Sequence, residues 1–121
     1  MDDKLLELAK AQLDEIKNQW DDMLVRSEYE DVSDLSDMEV ISLITQASAA
    51  IKRISLLNSE YTKQAQSIIS ENGYPGYKLQ HLMGVVNALQ HDLNSGYIES
   101  IVEITHADIF DSYLFSRLPI T

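Results

Sequence analysis

The sequence predicts an all-α protein: a helical bundle of four main helices followed by a short C-terminal helix. Apolar residues recur at steps of three and four along most of the chain, the period of a helix face. Capping residues and glycine stops separate these stripes, and no segment alternates with the period of a strand. The 121 residues suit one domain. A chain of this size hides about two-thirds of its unfolded surface, so it needs no disulfide or structural metal to fold. Residues 1–39 read as an acidic N-terminal helix and loop, and residues 40–121 as the helical core.

Helix one is expected over residues 3–25. Leu6, Ala9, Leu13, Ile16, Trp20 and Met23 follow a heptad stripe, with Leu5 and Leu24 widening it. The stripe has two readings. It is one wall of an intramolecular bundle, or it is an interface in which Leu6, Leu13, Ile16, Trp20 and Met23 meet a second copy or a larger partner. In the second reading Trp20 is the anchor, since Trp is enriched among interface hot spots. Residues 26–36 read as a polar, acidic loop in which Tyr29, Val32 and Leu35, three apart, form one turn over the core.

Helix two opens with a capping box. Ser36 accepts from the Glu39 amide while the Glu39 side chain reaches back to the Ser36 amide. Val40, Ile41, Ile44, Ala47, Ile51, Ile54 and Leu57 then line one face. The small run Ala47-Ser48-Ala49-Ala50 lets another helix approach closely. Helix three runs from a cap at Asn58 or Ser59 to about Glu71, with Tyr61, Ala65, Ile68 and Ile69 inward. Gly73 is expected to end it in a left-handed conformation, and Tyr74-Pro75-Gly76-Tyr77 is the strongest turn signal in the chain. Helix four is expected over 78–93, with Leu79, Leu82, Met83, Val86, Leu89 and Leu93 inward. Gly84, a poor helix former, is expected to let this helix pack against the alanines of helix two. Asn94-Ser95-Gly96 is the next stop, followed by Ile98, Ile101 and Val102 on one face and a short helix capped by Asp108.

Residues 61–115 resemble a group of uncharacterised bacterial proteins with helical N-terminal modules, related to HEPN and abortive-infection-type families. The matching residues are Gly84, Ala88, Leu89, Asp92, Leu93, Gly96, Tyr97 and Ile98, then Ala107, Asp108, Ile109, Phe110, Asp111, Tyr113 and Leu114. The resemblance implies a helical module that binds another copy or a longer relative. The Arg-x4-6-His pair that HEPN-type nucleases use is missing, because no arginine precedes His81, His91 or His106 at that spacing. Nuclease activity is therefore not implied.

The residues offer little chemistry. With no cysteine, thiolate metal sites and a cysteine nucleophile are excluded. No serine sits in a Gly-x-Ser-x-Gly elbow, and the four glycines form no phosphate-cradling loop. The pairs Asp14/Glu15 and Asp21/Asp22 are adjacent, so they point to different parts of a helix surface. His81 and His91, ten residues apart, share no metal on one helix without further ligands. No catalytic, cofactor-binding or metal-ligating residue is assigned, no cofactor is expected, and the chain reads as non-enzymatic. Tyr74 and Tyr77, beside the Pro75-Gly76 turn, either cap the bundle or serve as exposed binding residues.

Charge is the stronger guide. The net charge is −11, and residues 1–39 hold 13 acids against four bases, a net −9. The candidate acidic surface is Asp21, Asp22, Glu28, Glu30, Asp31 and Asp34. It either keeps the protein soluble or attracts a basic partner. The acidic start lacks the character of a secretory signal, and no apolar run reaches the ~18 residues of a spanning helix, so a cytoplasmic protein is expected. The partners expected are another protein or a second copy, with no membrane and no direct nucleic acid. The leading functional expectation is an interaction or regulatory module. The alternative is an acidic inhibitor, of the immunity or anti-defence kind, that blocks a basic nucleic-acid-binding partner. The charge yields a first prediction: the protein shows no measurable affinity for duplex DNA at physiological salt in a fluorescence-anisotropy titration.

Overall fold

The structure, a computed structural model, describes residues 3–55 and 58–96. Among the described residues there are four helices: α1 (Asp3–Arg26), α2 (Asp37–Ile54), α3 (Glu60–Ser70) and α4 (Pro75–Asn94). Among the described residues there is no strand. The all-α bundle is therefore as the sequence predicts. The short C-terminal helix, with Ile98, Asp108 and Phe110, lies outside the described residues, as does Leu57. Among the described residues no helix is long and apolar enough to cross a membrane.

Each helix runs antiparallel to the one before it. Gln19 Nε2 donates to Gln46 Oε1 at 3.0 Å and Arg26 binds Glu39, which pairs α1 with α2 in opposite directions. Tyr61 reaches Asp92, and Lys78 Nζ donates to the Ile69 carbonyl at 3.1 Å, which does the same for α3 and α4. Gln90 meets Asp14 and closes the ring between α4 and α1. The loop from α1 to α2 and the turn from α3 to α4 therefore lie at the same end of the bundle.

The most extensive contact is between α2 and α4, which lie across the ring from one another. On α2, Ala47 and Ala50 are wholly buried. On α4, Leu79, Leu82, Met83, Val85, Val86, Leu89 and Leu93 are buried. The inward face of α2 differs from the expected one. Val40, Leu43, Ala47, Ala50, Ile51 and Ile54 are buried, whereas Ile41 is 50% exposed and Ile44 only half-buried. Apolar residues cover more than one arc of this helix, and packing against the other three helices selects the arc that carries Leu43.

The helix starts and stops refine the sequence reading. Ser36 caps α2, its Oγ accepting from the Glu39 amide at 3.3 Å. The return arm of the expected box does not form, because the Glu39 carboxylate takes Arg26 instead, a charge-assisted bond that outcompetes a neutral amide. Ser59 caps α3, accepting from the Thr62 amide at 3.1 Å. That helix stops at an extended Glu71, so Gly73 lies beyond its end rather than serving as its terminator. Pro75 is the first residue of α4 and not part of a separate turn; proline suits that position, where the missing N–H would find no helical partner.

Two glycines behave differently from one another. Gly84 is exposed, and a Cβ built on it meets nothing within 4 Å. It does not pack against α2, which corrects the sequence expectation, although it costs the helix about 1 kcal/mol relative to alanine. Gly76 is the glycine that packing requires. A Cβ there would lie 1.9 Å from the Asp31 carbonyl oxygen and 3.5 Å from Val32 Cγ2. The start of α4 and the acidic loop thus touch backbone to backbone.

Two measurements check this core. In chemical denaturation Ile51→Ala should lose about 2–5 kcal/mol, the usual cost of emptying a fully buried aliphatic site. Gly76→Ala should lose about 1–3 kcal/mol, because the loop backbone must move to admit one methyl group.

Candidate interaction surface

The five α1 residues expected at an interface are placed in the interior. Leu13 is fully buried, Ile16, Met23 and Trp20 nearly so, and Leu6 packs half-buried against the same core. The stripe is the bundle wall, the first of its two readings, and its use as an outward-facing interface is corrected. Its spacing matches an inward face because α1 packs on both α2 and α4.

The acidic residues are placed outward. Asp21, Asp22, Glu28, Glu30 and Asp34 are exposed and Asp31 is half-buried. The loop that carries four of them is well tied. Val32 is fully buried although its φ is 50°, a left-handed conformation that a β-branched residue adopts only when its surroundings impose it. Its amide donates to the Tyr29 carbonyl at 3.0 Å, and the Leu35 amide donates to the Val32 carbonyl at 3.0 Å. Asp34 accepts from the Ser27 hydroxyl and from the Glu28 amide, the latter at 3.0 Å, and Asp31 accepts from the Ser33 amide at 3.1 Å. The turn expected from Tyr29, Val32 and Leu35 exists, with Val32 inward, Leu35 half-buried and Tyr29 exposed.

Local charge sets the titration of this end. The Ser27 hydroxyl, and then the Glu28 amide, hold the Asp34 carboxyl below the usual range. Arg26 does the same to Glu39, while Glu39 and Asp22 together push the Arg26 guanidinium further up. These groups are at the surface, where such pairs add little stability. Their effect is to hold the charges in position.

Exposed apolar side chains gather at this same end. Val25, Tyr29, Met38, Tyr74 and Tyr77 lie on or beside the two connections, while Leu5 and Leu8 lie near the start of α1. The tyrosines of the Pro75-Gly76 segment are thus exposed, Tyr74 more than Tyr77, whose ring tilts over His81 at 4.2 Å between centroids. Between α1 and α4, beside the loop, runs a groove of about 410 Å³. Trp20, Leu24 and Met83 give it an apolar floor, Gly84 leaves it open, and Asp21 and Glu30 stand on its rim.

Sequence reasoning missed the groove, since its residues sit on two helices far apart in the chain. It also missed two polar contacts. The hydroxyls of Ser55, Ser59 and Thr62 bond one another where α2 passes into α3. Tyr61 donates to Asp92 across α3 and α4, and burial, then this bond, push its hydroxyl up to about 12. Among the described residues no group of three or more histidines or carboxylates is arranged to hold a metal ion. Compared with family models, curated proteins and solved structures, the chain matches none.

The titration behaviour gives a prediction in both directions. The Tyr61 value is raised, so its contribution to stability is full below the ordinary value of 10.0 and is lost as pH rises through about 12. The Asp34 value is lowered, so its contribution holds above the ordinary carboxylate range and is lost as pH falls through the depressed value. Ultraviolet titration should show a tyrosine step near 12, and Asp92→Asn should lower that step part of the way, since burial is the larger cause. Asp34→Asn should remove part of the acid sensitivity of the loop, read from the amide signals of residues 27–35.

Proposed function

We propose that this chain is a cytoplasmic, non-enzymatic interaction module that acts through protein–protein contacts, with self-association among them. The observation that carries the reading is the distribution of apolar surface. The stripes of the four helices are spent on one another, and most of the exposed large apolar side chains collect at the loop-bearing end. Aromatic and methionine side chains held outward on a tied scaffold favour binding. The resemblance to bacterial helical modules agrees with this reading and remains a proposal of the same kind.

A second reading is favoured by the tied acidic loop. Carboxylates held in fixed positions suit an acidic inhibitor that covers a basic nucleic-acid-binding surface, because little ordering remains to be done on binding. Such inhibition weakens steeply as salt rises, whereas contact through apolar side chains does not.

The module is tested by placing a photoreactive amino acid at Met38, Tyr74 or Leu8 and irradiating cells that express each variant. The expected result is capture of the same protein, or of a second copy, from Met38 and Tyr74 but not from Leu8. Absence of capture from all three positions, together with monomeric sedimentation at high concentration, would rule the module out.

A further inference from the structure

We infer that the groove between α1 and α4 is a docking site for an amphipathic helix of a protein partner, one that inserts a leucine-type side chain flanked by lysine or arginine. The inference rests on the proposed module and names its partner's chemistry.

Gly84 is the first observation. It stands in the interior of a helix, where glycine is unfavourable. Among the described residues nothing accounts for it: no neighbour lies within 4 Å of a built Cβ, and its φ is not positive. The position lies on the groove wall, where any larger side chain would project into the open volume. A glycine that the packing of the described residues and the backbone geometry do not need, lining an open groove, allows another backbone or side chain to approach α4 closely.

The groove's composition is the second observation. Its floor is apolar, with Trp20 and Met83 nearly buried and Leu24 half-exposed. Two antiparallel helices form its walls, and a third helix seats there by placing residues three and four apart into the channel. The rim is net acidic, Asp21 and Glu30 against Lys17, with Gln80 and Asn87 neutral. At one end it continues into the loop that carries Glu28 and Asp31. A partner flanked by cations is therefore drawn in, and one flanked by carboxylates is repelled.

Trp20 is the single tryptophan of the chain and lines the groove, so its fluorescence reports occupancy directly. The probe is an amphipathic helical peptide of leucine and lysine, used beside a leucine–glutamate peptide and a serine–lysine peptide of the same charge. The expected result is a saturable shift of Trp20 emission with the leucine–lysine peptide alone. Gly84→Leu should weaken that binding at least tenfold, and Gly84→Ala should weaken it less. Both variants should melt at or above the temperature of the native protein, which separates loss of binding from loss of fold. The inference is overturned if the leucine–lysine peptide leaves Trp20 unchanged, if Gly84→Leu binds it as well as the native protein, or if either control peptide binds equally. The wider module survives that outcome if crosslinking from Met38 and Tyr74 still captures a partner, so the two failures are distinguishable.

Discussion

The packing of α2 against α4 is the contact on which this bundle depends. These two helices share the most extensive contact of the ring, with α1 and α3 on either side of the pair. Ala47 and Ala50 are wholly buried on α2, and larger side chains there would have to displace the tightly packed interior. Tertiary packing also decides which arc of α2 is interior. Leu43 is buried while Ile41 remains outside, although nothing in their chemistry distinguishes leucine from isoleucine as core residues.

The same economy of space appears at the loop-bearing end. The Asp31 carbonyl sits where Gly76 has no side chain, and Val32 is buried beneath a left-handed backbone. The acidic loop is thereby attached to the start of α4 and not only to the ends of α1 and α2. An untied loop of such charge would spread its carboxylates through solvent. Here Asp34 and Asp31 spend part of their bonding capacity on the loop's own backbone, and the remaining carboxylates are presented by a defined frame. This arrangement gives physical content to a binding role for a segment that composition alone equally describes as a solvated linker.

The buried polar groups have structural partners. Ser55, Ser59 and Thr62 satisfy one another at the passage from α2 to α3, and Tyr61 is satisfied by Asp92. Among the described residues no buried side-chain donor or acceptor is left over. At the surface, a costly glycine, an apolar floor and an acidic rim occur together.

Taken alone, the sequence determined the helical class, the order of the four helices and most of their interior residues. Periodicity and capping are local properties: the stripe from Leu13 to Met23, the caps at Ser36 and Ser59 and the inward face of α4 are all visible within a few turns of chain, whereas on α3 the expected Tyr61 and Ile69 are half-buried and Thr62 is interior instead. It also determined the charge asymmetry, which is a property of composition. Tertiary structure decided what depends on residues distant in the chain. It turned the α1 stripe inward, because two other helices compete for that surface and bury it. It moved the close-packing role from Gly84 to Gly76, because the need for a missing side chain is set by which backbone lies opposite, and no local pattern records that. It diverted Glu39 from its own helix cap to Arg26, because a guanidinium on a neighbouring helix offers a stronger bond than the nearby amide. It created the groove from Trp20, Leu24 and Met83, since a concave surface belongs to a pair of helices and is written in neither one of them.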